Sequence, residues 1–141
     1  MDMGIERLES KKPFRERCLQ FGVAVVRLIQ RLPEGRGSTV QLRQLEKSAT
    51  SIGANVAESQ SAQSRADFIS KFEIALKEAR ETDYWLRMLK ETETKLEGEL
   101  GPLIGECWQI AAILVTSVKT AKRNGEESRR QNGRAESRDQ N

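Results

Sequence analysis

Few residues in this 141-residue sequence could perform acid–base or covalent chemistry. Histidine is absent, which removes the commonest general base near neutral pH, the commonest metal ligand and the usual partner of a nucleophilic Ser or Cys. Cys18 and Cys107 stand far apart, too few for a disulfide framework or a zinc site, and read as two reduced thiols in a helical core. A carboxylate-bridged metal bundle normally takes a Glu-x-x-His pair from facing helices, and that pair cannot be written here. Carboxylate-only and Lys-based mechanisms stay formally open. The expectation is a protein that is not an enzyme, with no catalytic residue, no metal and no cofactor.

Binding chemistry is better represented. Residues 1–47 carry ten Lys/Arg against six Asp/Glu, residues 48–118 seven against eleven, and residues 119–141 seven against four, so both ends are basic and the middle is acidic. In an up-down bundle the first and last helices are neighbours. Arg15, Arg17, Arg27 and Arg31 are then expected to share a surface with Lys119, Lys122, Arg123 and the tail arginines. Such clusters release counterions from a phosphate backbone and bind nucleic acid in a salt-dependent way. The plain alternative is a solvated face with local ion pairs. No recognition-helix motif or aromatic-rich strand points to base reading, so binding to RNA or DNA backbone or shape is expected.

A polar row is the other unusual feature. Ser48, Ser51, Asn55 and Glu58 recur every three or four residues beside an apolar stripe, with Gly53 and Ala54 nearby. Ser and Asn are modest helix formers, so the row implies hydrogen bonds between helices or a close helix approach, with a ligand or partner site as the lesser alternative.

The elements that carry these residues follow from apolar spacing. Ala, Leu, Glu, Lys, Arg and Gln dominate and aromatics are only 5%, which disfavours a sheet. Four stripes in steps of three and four predict helices at about 13–32, 38–59, 64–95 and 100–123. Their members are Phe14, Cys18, Phe21, Val25, Leu28 and Leu32; Leu42, Leu45, Ala49, Ile52 and Val56; Phe68, Phe72, Ala75, Ala79, Thr82, Leu86 and Leu89; and Leu100, Ile104, Cys107, Ala111, Leu114, Val118 and Ala121. Leu32-Pro33 ends the first helix, and Ser38 with Gln41 and Ser64 with Asp67 start the next two. Gly101-Pro102 is expected in the first turn of the fourth helix, and the third helix is expected to be the longest. Residues 1–12 read as a flexible N-terminus, and 124–141 as a disordered polar tail.

The whole reads as one antiparallel up-down four-helix bundle. Further apolar residues (Val26, Ile29, Ile69, Leu76, Trp85, Leu103, Trp108, Ile110 and Val115) suggest a second buried face and a homo-oligomer. With no signal-like segment and no stretch of roughly 20 uncharged apolar residues, a cytoplasmic protein without a membrane role is expected.

The run SATSIGANVAES followed by SRADFISKFEIALKEARETDYWL resembles the bacterial four-helix bundle family of 23S rRNA intervening-sequence proteins. Ser51, Ile52, Asn55, Ala57 and Glu58 match its first motif, with Val56 in place of Ile and Ser59 in place of the usual Gly. Ser64, Asp67, Phe68, Phe72, Ile74, Ala75 and Glu78 match the second. The resemblance covers about residues 14–123 and makes Ser51, Asn55, Glu58 and Asp67 structural motif positions. It implies a ring-like homopentamer of bundles with no established activity. A related branch, the accessory variability proteins of diversity-generating retroelements, binds a reverse transcriptase and its template RNA, and the basic first helix and tail fit that branch. The expected role is a non-catalytic oligomeric nucleic-acid adaptor with a reverse-transcriptase partner; the alternative is a structural or protein-interaction bundle.

Overall fold

The computed structural model describes residues 12–140, and all but one of the residues of the expected flexible N-terminus lie outside it. Four α-helices follow one another: α1 Phe14–Arg31, α2 Thr39–Ser59, α3 Arg65–Thr92 and α4 Glu97–Asp139, the last preceded by a 3-10 turn at Thr94–Leu96. No strand occurs among the described residues.

Local chemistry sets most of the boundaries. Leu32 takes the extended conformation that Pro33 imposes, and the chain reverses through Gly35 and Gly37 at φ +81° and +75°. Ser38 donates its backbone N–H to Gln41 in a capping box, and Ser64 Oγ accepts from Asp67 N at 3.0 Å. Ser59 ends α2 without a left-handed residue, its buried hydroxyl donating to Val56 O at 2.6 Å.

The neighbours are α1–α2, α2–α3 and α3–α4, with α1 touching α4 only lightly, as in an up-down bundle whose first and last helices are partly splayed. Cys18, Phe21, Val25, Leu28, Leu45, Ile52, Phe72, Leu86, Leu100 and Leu114 are all buried in one core. The stripes read from spacing are thus the inward faces. Of the residues assigned to a second face, Leu103 and Ile110 are core, while Ile29, Ile69, Leu76 and Trp85 pack half-buried against it.

Helix α4 departs most from expectation. It begins at Glu97, so Pro102 sits in its second turn; the carbonyl that loses its donor belongs to Gly98, which is exposed. It runs on through 124–139, where a disordered tail was expected, and at 43 residues it, not α3, is the longest helix. Along that extension Arg123 with Glu127 and Glu126 with Arg130 pair opposite charges at four-residue spacing, against the like charges of Arg130 with Arg134 and Arg134 with Arg138 and the weak helix formers Gly125 and Gly133.

By length and composition α4 is also apolar enough to cross a membrane, contrary to expectation, since Glu106 is the only charge between Leu100 and Val118. Its stripe faces the bundle core, and Glu106 is held by Arg17 of α1, the arrangement of a core helix.

Candidate nucleic-acid interface

The seven basic residues singled out by sequence do not form one patch. Arg17 is turned inward: its Nε and Nη2 donate to the two carboxylate oxygens of Glu106 at 3.0 Å each, and Nη2 also donates to Gln109 Oε1 at 3.0 Å. Arg17 is 9% and Glu106 3% exposed, so this bidentate pair is the polar bolt of the loose α1–α4 seam and cannot meet a phosphate. Composition gave no warning, because an inward Arg and an outward Arg differ only in phase, and Glu106 was not considered as its partner.

Arg15 and Arg27 are exposed at the rim of an outer groove between α1 and α2. Arg31 reaches Glu99 at 3.6 Å at the far end of α1, roughly 24 Å from Arg15 along the axis. Lys119, Lys122 and Arg123 are exposed on α4 with the basic residues beyond them. Lys122 meets Glu73 of α3 at 2.9 Å, and among the described residues Lys119 and Arg123 make no ion pair.

The coherent basic surface is therefore α4 from Lys119 onward. Lys119, Lys122, Arg123, Arg129, Arg130, Arg134 and Arg138 are exposed there, and every residue from 126 to 140 is open to solvent. Sequence reasoning names three of the seven and counts the tail arginines with them, but on a segment it reads as disordered rather than as a continuation of the helix. On a continuous helix the seven occupy about half of the circumference, with Glu126 and Glu127 inside the same arc. Where α4 passes the start of α3, Gly125 leaves room for the Arg65 side chain, whose Cδ would lie 3.2 Å from an added Cβ.

The polar row of α2 divides by role. Ser48 Oγ accepts from Thr82 Oγ1 at 2.9 Å inside the core, and Glu58 pairs with Lys71 at 2.8 Å, raising the Lys71 ammonium above its ordinary value chiefly through that hydrogen bond. These two link α2 to α3. Ser51 and Asn55 instead bond within α2, to Lys47 O at 2.6 Å and Ser51 O at 2.8 Å. Asp67 caps α3, its carboxylate accepting from Gln63 N at 3.4 Å. Gly53 provides the expected close approach: an added Cβ would meet Cys18 O of α1 at 3.3 Å.

Outside that approach lies the α1–α2 groove, about 600 Å³ and lined by Leu19, Val23, Val26, Ala54 and Ala57, with Leu19 55% exposed. Among the described residues no three Cys, Asp or Glu side chains are grouped as metal ligands. Burial pushes the Cys18 and Cys107 thiols up to about 12, the state of packed core groups rather than nucleophiles.

The family profile described as 23S rRNA-intervening sequence protein matches residues 13–116. The chain belongs to that family. No curated protein matches it. A crystal structure of a protein of unknown function from the S23 ribosomal protein family of Bacteroides thetaiotaomicron is similar, with a TM-score of 0.71 and 39% identity. That likeness covers 76% of this chain and 99% of the other. The intervening-sequence match ends before Lys119, so the basic length of α4 is this chain's addition to the part matched by the family profile.

Proposed function

We propose that this 23S rRNA-intervening sequence family protein is a non-catalytic, oligomeric adaptor that binds the backbone of structured RNA or DNA in the cytoplasm. The observation that carries the reading is the solvated C-terminal length of α4, whose seven exposed Lys and Arg outnumber four Asp and Glu. The seven cations spread over about half of the helix circumference with Glu126 and Glu127 among them, and the net positive charge of this length suits a phosphate backbone. The family description, with its intervening sequence of 23S rRNA, favours RNA as the nucleic acid. The resemblance to accessory variability proteins makes a retroelement reverse transcriptase the protein partner to test.

Self-association is supported by the α1–α2 groove. Its rim carries both signs, Arg15 and Arg27 beside Glu16, and suits a mixed surface of a second copy. Ile74 and Tyr84 are exposed on α3, which lies diagonally across the bundle from α1. A head-to-tail contact between such unlike faces forms a ring when its rotation closes, and a closing angle of one fifth of a turn would give the homopentamer that the family resemblance implies. The same groove is what favours the second reading, a purely structural or protein-interaction bundle.

Size-exclusion chromatography with light scattering, followed by filter binding of the peak to a structured RNA, tests both parts. The expected result is about five subunits and an affinity that falls tenfold or more between about 50 and 200 mM salt. A monomer would sink the ring, and no retention of RNA at low salt would leave the interaction bundle.

A further inference from the structure

One large aromatic of α4 does not follow its neighbours inward. Trp108 is 56% exposed, although nothing in a bundle core requires an indole there. It is nevertheless fixed. Its Nε1 donates to Asp83 Oδ1 of α3 at 2.8 Å, and Arg87 Nε donates to the same oxygen at 3.1 Å. The Arg87 guanidinium carbon stands over the indole, 5.1 Å from its centroid. The one polar atom of the ring is thus satisfied inside the protein, and what remains exposed is π surface held in one orientation.

Beside it, between α3 and α4, is a slot of about 230 Å³. Ala79, Ala111 and Cys107 line it together with Trp108, Arg80 and the Asp83 carboxylate. The Cys107 thiol donates to Ala79 O at 3.2 Å, so it offers the slot no free polar hydrogen. Small apolar groups and an aromatic plane around a shallow depression suit a flat ring, with the Asp83 charge balanced by Arg87 at 3.1 Å and Arg80 the other cation at the rim.

The position along α4 adds a second, independent observation. At about 100° per residue, Lys119, Lys122 and Arg130 fall within about 40° of Trp108 around the helix, with Glu126 the one acidic residue on that line, and Lys119 is only about 16 Å further along the axis. A phosphate chain that follows the basic side of α4 therefore arrives at the slot.

We propose that this slot is a stacking site for one unpaired nucleobase of a single-stranded segment, with Arg80 drawing a flanking phosphate and the base lying against the Trp108 indole. This rests on the nucleic-acid reading above. A paired base is already stacked in its duplex, so the ligand is a loop, bulge or free strand.

The test compares a dye-labelled 12-nucleotide oligouridine with an abasic ribose-phosphate chain of equal length, at low salt, by anisotropy. The wild-type protein is expected to prefer the base-containing strand about tenfold, and Trp108→Leu to abolish the preference while leaving abasic binding unchanged. Equal affinity for both strands in the wild type, or a preference that survives Trp108→Leu, would overturn the slot while leaving backbone binding intact. If neither strand binds, the nucleic-acid reading itself falls and the slot with it. A change of particle mass in Trp108→Leu, with strand preference retained, would assign the face to a subunit contact. Should that variant fail to fold, a Trp85→Phe protein leaves Trp108 as the sole indole, and its fluorescence must be quenched by the uridine strand and not by the abasic one.

Discussion

Arg17 shows how a single side chain can change category between sequence and structure. It belongs to the basic first helix by count, yet it spends its charge inside the protein on Glu106 and Gln109. Removing one partner strands a buried charge, so Glu106→Gln is expected to cost about 3–5 kcal/mol in urea unfolding. A loss below about 1 kcal/mol would mean that water reaches the pair. Two glycines make a sharper comparison. Ala is a better helix former than Gly by about 1 kcal/mol. At Gly22 a Cβ would sit at 3.6 Å from Ala49 O, an ordinary contact, and Gly22→Ala should be neutral or stabilising. At Gly53 it would press on the α1 backbone at 3.3 Å, and Gly53→Ala should lower stability by about 1–3 kcal/mol despite the propensity gain. Equal behaviour of the two variants would show that the α1–α2 approach is not tight.

At the scale of elements, the apolar stripes made α1, α2, α3 and the first half of α4 legible, because each has a side that must leave water. The second half of α4 has no such side. Periodicity is silent there, and polarity with Asn124, Gly125, Asn132 and Gly133 points to disorder, whereas the opposite charges of Arg123 with Glu127 and of Glu126 with Arg130 favour helix. The same gap left the four tail arginines of the candidate interface without a helix to place them. A chain ended after Asn124 should lose helical circular dichroism and most RNA retention, yet unfold within about 0.5 kcal/mol of the full protein, since residues 126–140 bury nothing. A clearly lower stability would mean that the extension is docked. The slot at Trp108 was half legible: its indole was noticed as surplus apolar surface, but Asp83, Arg80 and Arg87 lie on another helix and nothing in sequence spacing joins them.

For the whole molecule, the core thiols couple stability to alkaline pH. Cys18 and Cys107 titrate near 9.0 when unperturbed and are raised to about 12 by burial in the fold. Below pH 9 both states keep the proton and the thiols are neutral to stability. Between about 9 and 12 the unfolded chain releases protons that the native chain retains, so stability should fall as pH rises, and Cys18→Ala with Cys107→Ala should flatten that slope. Denaturant midpoints at pH 8, 9.5 and 10.5 measure it; a slope unchanged in the double variant would assign the loss to other groups.

The connection at one end of the bundle has a mechanical consequence. Glu93, between α3 and α4, accepts from Gly37 N at 3.0 Å and holds Arg36 at 3.4 Å, so the glycine-bearing loop after α1 is moored to the turn before α4. Two hairpins are therefore stitched together where the sequence looks softest. A protease should accordingly spare residues 33–37 and cut first at the opposite pole, in 60–64 or along the bare length of α4, and Glu93→Ala should move the first nick to the loop it anchors.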